Sequence, residues 1–110
     1  DFENLHLIFS VLKDKDLDAI LDQFINYKLK PKFYLAENNS FRTASLANLI
    51  KSAAAKEFKY QSFKNLAAAS SAALENAGTY DLIIAAGSFN TVYEAGIEFR
   101  ARKVGGGKNE

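Results

Sequence analysis

Leu5-His6-Leu7-Ile8-Phe9-Ser10-Val11-Leu12 runs directly into Lys13-Asp14-Lys15-Asp16, and Leu17, Ile20, Leu21, Phe24 and Ile25 follow at helical spacing. The first run is short, continuous and apolar, which suits a strand buried on both faces of a parallel sheet. The charges end it abruptly. Asp16 is placed to cap a helix whose apolar stripe starts at Leu17 and which must stop before Pro31. Strand, charged loop and helix therefore occupy the first thirty positions.

The unit recurs. Lys32 to Leu35 reads as a second strand, Ala36 to Thr43 as a polar loop, and Ala44 to Phe58 as an Ala-rich helix with Leu46, Leu49 and Ile50 facing inward. A third strand is expected around Tyr60 to Phe63, then a helix over Leu66 to Asn76 with Gly78 as its C-terminal cap. The fourth strand, Tyr80 to Ala86, reads as buried and runs into Gly87-Ser88. A last helical or irregular segment spans Thr91 to Phe99. Strands alternating with helices, joined by right-handed crossovers, give an α/β domain: a three-layer Rossmann-like fold with a mainly parallel sheet. Residues 1–99 are expected to form this domain. Residues 100–110, with Gly105-Gly106-Gly107 among charges, are expected to be a flexible tail.

Composition narrows the function. A chain of 110 residues with 48% apolar content closes one modest core, and a net charge of +1 with 25% charged residues argues against a nucleic-acid binder. The absence of Cys removes disulfides, thiolate ligands and thiol nucleophiles and fits a cytoplasmic setting. The longest apolar runs are far below the roughly 20 residues of a membrane-crossing helix, so no membrane partner is expected. The chain contains no Met, and it reads as a segment of a longer protein.

In a parallel sheet, ligands gather where strand ends meet helix starts. Three loops there carry candidates. Lys13-Asp14-Lys15-Asp16 offers two cations and two carboxylates for gripping phosphate, orienting a metal-bound nucleotide or docking another domain; the competing reading is a solvated loop with a helix cap. Arg42 offers a planar fork to a carboxylate, against the plainer reading of a surface ion pair. Gly87-Ser88 allows close approach of a ligand to helix-start N–H groups, against a simple turn. His6, the only histidine, reads as structural, and Phe24, Tyr27, Phe33, Tyr34, Phe58, Tyr60 and Phe63 read as core packing. There is no Walker P-loop, no GxGxxG and no metal-ligand cluster, so the segment itself is assigned no catalytic residue and no metal.

Phe9-Ser10-Val11-Leu12-Lys13-Asp14-Lys15-Asp16, together with Asp81-Leu82-Ile83-Ile84-Ala85-Ala86-Gly87-Ser88-Phe89, resembles the C-terminal domain of folylpolyglutamate synthases and dihydrofolate synthases, in the Mur ligase superfamily. The resemblance covers about residues 5–96. Ser10, Phe41 and Asn90 depart from it, standing where the family usually has Gly, Pro and Tyr. A Mur ligase adding a diamino acid would carry Gly-Lys-Gly-His-Glu after the last strand, where this chain has Gly87-Ser88-Phe89-Asn90. The resemblance implies an ATP-dependent acid–amino-acid ligase that adds L-glutamate to folate through an acyl phosphate. It also implies ATP and Mg²⁺ held by an N-terminal domain of the same parent chain, with neither bound by this segment alone, which is expected to be inactive in isolation. Arg42, Gly87 and Ser88 would then meet glutamate, and Lys13, Asp14, Lys15 and Asp16 the nucleotide domain. The rival reading is a standalone α/β small-ligand-binding or regulatory module. A receiver-type module would want an Asp after the third strand and a Lys after the last, where this chain has Lys64 and Ser88.

Overall fold

A computed structural model describes residues 3–11, 15–37 and 44–86. Seven elements follow in order: β1 (Leu5–Phe9), α1 (Leu17–Asn26), β2 (Lys32–Leu35), α2 (Leu46–Ala55), β3 (Lys59–Ser62), α3 (Leu66–Asn76) and β4 (Leu82–Ala86). The four strands form one sheet in the order β3-β2-β1-β4, parallel at every pairing, with Leu7 opposite both Phe33 and Ile84. This is the α/β Rossmann-like architecture expected from the sequence.

The strand order fixes the layers. The β1-to-β2 and β2-to-β3 crossovers step the same way along the sheet, so right-handedness puts α1 and α2 on one face. The β3-to-β4 crossover returns past both inner strands and puts α3 on the other face. The core divides accordingly. Leu7, Phe9, Phe33 and Leu35 meet Leu21 of α1 and Leu49 and Ala53 of α2, while Ile8, Tyr34 and Ala36 meet Leu66, Ala69 and Ala73 of α3. Alternate residues of β1 and β2 thus serve opposite cores, which is why both strands are largely apolar, with His6 and Lys32 near their N-terminal ends. Phe33 is the aromatic hub of the first core, edge-on to Phe9 and Phe24 at 5.5 and 5.7 Å and tilted against Phe58 at 4.9 Å.

Several boundaries differ from the sequence reading, each for a local reason. Helix α1 ends before Pro31, as expected, and its stop at Asn26 is set by Lys28, which turns left-handed (φ 59°). The Lys28 and Leu29 N–H groups then donate back to the carbonyls of Ile25 and Phe24. Helix α2 ends the same way at Ala55: Glu57 has φ 62°, and the Glu57 and Phe58 N–H groups donate to Ala54 and Ala53. It begins only at Leu46 because the Ser45 hydroxyl caps it. Gly78 is not the expected left-handed cap. Ala77 ends α3 in an extended conformation, and the Gly78 N–H donates to the Asp81 carboxylate at 2.9 Å. Strand β3 lies one residue earlier than expected.

Strand β4 is a margin strand with β1 as its neighbour in the described sheet, and Leu82 and Ile84 are 40% and 39% exposed, so it is not the buried strand its apolar run suggests. Tyr27, at 74%, and Tyr60, at 37%, are likewise exposed rather than core residues. Among the described residues, no helix is long and apolar enough to cross a membrane. The expected Thr91 to Phe99 segment and the 100–110 tail lie outside the described residues.

Candidate functional site

The sheet has its topological switch point between β1 and β4: the chain leaves β1 toward β2, while β4 lies on the other side. At such a point the loops diverge and open a crevice at the strands' C-terminal ends. Backbone bonds tie the strand ends together there. The Ser10 N–H donates to the Ala86 carbonyl at 3.4 Å, the Ala36 N–H to Phe9 at 3.4 Å, and the Ala44 N–H to Val11 at 2.8 Å. Ser10 is fully buried, so a residue larger than glycine is accommodated where the sequence departs from the resembled pattern.

All three helices begin at this edge, each under a side-chain cap. Asp16 Oδ1 accepts from the Ala19 N–H at 3.0 Å, Ser45 Oγ from Asn48 at 3.2 Å, and Asn65 Oδ1 from Ala68 at 2.8 Å. Glu37, just past β2, adds a carboxylate whose Oε2 accepts from the Leu46 N–H at 2.8 Å. The sequence reading passed over Glu37; its signal was an acid directly after a strand and nine residues before a helix start. The positive ends of three helix dipoles converge on one edge, and two of them already hold a carboxylate of the chain, Asp16 at α1 and Glu37 at α2.

The candidates divide by location. The Asp16 carboxylate is engaged in capping α1, as the plainer reading required. Lys15 lines a groove of about 370 Å³ between α1 and α2, together with Asp18, Asn48 and Lys51. Lys13, Asp14, Arg42, Gly87 and Ser88 lie outside the described residues. Their nearest described chain neighbours, Val11, Lys15, Ala44 and Ala86, all belong to the C-terminal edge. The described residues contain no group of three or more His, Asp or Glu side chains able to hold a metal ion. The described part of the edge therefore suits anions and offers no ligand set for Mg²⁺, and no step is assigned to a metal bound by it.

A second polar cluster sits at the opposite, N-terminal end of the sheet. Buried His6 has Nδ1 2.7 Å from the Tyr34 hydroxyl and Nε2 2.8 Å from Asp81 Oδ2. Asp81 also accepts from the Gly78 N–H at 2.9 Å and from Asn4 Nδ2 at 3.1 Å, and Asn76 Nδ2 donates to the Tyr34 oxygen at 3.4 Å. With its oxygen accepting from Asn76, Tyr34 donates its proton to Nδ1, which leaves Nε2–H to donate to Asp81. The Gly78 N–H first, and then His6, hold the Asp81 carboxyl down at about 2, while burial raises the Tyr34 hydroxyl above its ordinary value. The cluster faces α3 and lies away from the crevice, in keeping with the structural reading of His6.

A scan against protein-family models gives no match, and neither does comparison with curated protein sequences. Solved structures do match. Escherichia coli FolC in complex with DHPP and ADP superposes with a TM-score of 0.78 at 24% identity, over 94% of this chain and 23% of that one. Mycobacterium tuberculosis folylpolyglutamate synthase complexed with ADP and AMPPCP gives 0.71 at 26% identity, over 93% and 24%. The bifunctional folylpolyglutamate synthase/dihydrofolate synthase of Yersinia pestis, complexed with AMPPNP and Mn, gives 0.72 at 24% identity, over 90% and 22%. This chain therefore spans less than a quarter of the length of each. Its fold is that of the C-terminal part of folylpolyglutamate synthases, the family that its β1 and β4 strand ends resemble.

Proposed function

We propose that the chain is the C-terminal domain, over residues 1–99, of a cytoplasmic ATP-dependent folylpolyglutamate synthase, and that its C-terminal sheet edge places the incoming L-glutamate. In the reaction, the γ-phosphoryl group of ATP passes to a folate carboxylate, giving an acyl phosphate and ADP. The glutamate amine attacks the acyl carbon, phosphate leaves with the bonding pair, and the nitrogen loses a proton. Positioning the amine and its two carboxylates contributes much of such catalysis. Arg42 and the Gly87-Ser88 turn hold the glutamate carboxylates. Lys13 to Asp16 meet the N-terminal ATP-binding domain, which supplies the Mg²⁺ site.

The observation carrying this reading is the switch point, where Ser10 at the end of β1 is bonded to Ala86 at the end of β4, one residue before Gly87. Losing a charge-assisted hydrogen bond costs about 1.5 to 3 kcal/mol, or roughly tenfold to over a hundredfold in affinity. In the full-length protein, Arg42→Ala and Ser88→Ala are expected to raise the glutamate KM by such factors and leave the ATP KM nearly unchanged. An unchanged glutamate KM in both variants would remove the glutamate role. A full-length protein without glutamate-dependent ADP release would remove the ligase reading itself and favour a binding or regulatory module.

A further inference from the structure

The N-terminal edge of the sheet carries a groove of about 910 Å³ between the α1–β2 and α2–β3 turns. Each wall is a helix stop closed by paired backbone bonds, including Leu29 N–H to the Phe24 carbonyl at 2.8 Å and Phe58 N–H to that of Ala53 at 3.0 Å. Lys28 and Lys30 stand on the first wall and Lys56 and Lys59 on the second, against two lining acids, Glu3 and Glu57. Lys56 is paired with Asp22 at 2.7 Å, whereas Lys28, Lys30 and Lys59 form no ion pair with a described carboxylate. Between the cations lie Ile25 and Leu29, 47% and 38% exposed, and half-buried Phe58.

We propose that this groove docks an acidic peptide segment of a partner protein, with apolar side chains between its carboxylates. Three cations without an ion-pair partner among the described residues and an apolar floor between them complement such a segment in both charge and hydrophobicity. The concave shape suits a chain better than a flat bilayer surface. The apolar floor argues against a phosphate backbone, whose oxygens are met by cations and hydrogen-bond donors rather than by aliphatic side chains. Because the groove lies at the end of the sheet opposite the switch point, an occupant leaves the crevice accessible.

The test titrates a synthetic peptide of alternating Glu and Leu into the isotopically labelled 110-residue chain, at low and high salt. Amide shifts are expected over residues 25–31 and 56–59, with affinity falling at high salt. Lys30→Glu/Lys59→Glu should weaken binding about tenfold or more, and the milder Lys30→Gln/Lys59→Gln, checked for an unchanged fold, by a smaller factor. No shifts at millimolar peptide, shifts centred on the C-terminal edge, equal binding by a Lys/Leu peptide, or indifference to both lysine variants would overturn the proposal. Tighter binding of phosphatidylglycerol vesicles or of a single-stranded oligonucleotide at these residues would overturn it in favour of a membrane or nucleic-acid surface.

Discussion

His6 Nε2 lies 2.8 Å from Asp81 Oδ2, which fastens the inner strand β1 to the residue just before the margin strand β4. Asp81 also takes N–H groups from Gly78 and Asn4, so one carboxylate gathers the approach to β1, the exit from α3 and the approach to β4. A one-residue slip of β4 would turn every side chain to the wrong face, and this contact opposes it.

The Asp81 carboxyl is held at about 2, below the ordinary carboxylate value of about 3.9. A depressed folded-state value means that the ionised form stabilises the fold. Its contribution is complete above about pH 4 and is lost as pH falls toward about 2. Asp81→Asn is therefore expected to unfold at lower denaturant concentration than the parent at neutral pH, with the difference narrowing across that acid window. Parallel stability curves for the two proteins from pH 5 to about 2 would show that the carboxylate charge is not what holds the contact.

Tyr34→Phe removes the hydroxyl between His6 Nδ1 and Asn76 Nδ2 and leaves a buried ring nitrogen without its partner. An orphaned buried polar group costs about 1 to 3 kcal/mol, and Tyr34→Phe should lower stability by that amount in urea unfolding. Adding His6→Phe removes the orphan, so the double variant should lose clearly less than the sum of the single losses. Additive losses would mean that the hydroxyl and the imidazole act independently.

Glu57 and Lys28 adopt left-handed conformations with φ of 62° and 59°, which a side chain disfavours by roughly 1 to 2 kcal/mol. Glycine relieves that strain but adds about 0.4 to 1 kcal/mol of unfolded-state entropy. Glu57→Gly and Lys28→Gly should each stabilise the chain by about 0.5 kcal/mol, seen as a higher thermal midpoint. A lower midpoint in both would show that the turns depend on the side chains.

The fold was legible because β1 and β2 are largely apolar and α1 and α2 keep a 3.6-residue apolar period, two signals that require no long-range knowledge. Asp16 announced its cap through its place before Leu17, and the structure agrees. The helix ends were harder, since Lys28 and Glu57 occupy positions where sequence alone expects glycine, while Gly78 sits in an ordinary turn. The exposure of Leu82 and Ile84 was hidden because an apolar run looks the same in a central and a margin strand. The His6–Asp81 contact spans 75 positions, and only the pairing of β1 with β4 brings the two together. At the crevice, the sequence singled out loops by their place after strands, but its one mark on Glu37, an acid after a strand, does not by itself say that the side chain reaches a helix start nine residues on.

Glu37 gives the final prediction, because it tests whether the crevice edge attracts anions. Its Oε2 accepts from the Leu46 N–H at 2.8 Å, so a carboxylate sits at the positive end of α2 beside the Ser45 cap. Removing it should expose that N–H and forgo the dipole interaction. By analogy with lost helix caps, Glu37→Ala is expected to cost about 0.5 to 2 kcal/mol in urea unfolding. Glu37→Gln keeps an accepting oxygen without the charge and should lose less. The emptied helix start should then respond to solution anions: sulfate should recover more stability in Glu37→Ala than it adds to the parent, whereas matched chloride should not. If Glu37→Gln and Glu37→Ala lose equally and sulfate treats both variants like the parent, the hydrogen bond from Leu46 contributes nothing and the edge lacks the anion preference that glutamate binding requires.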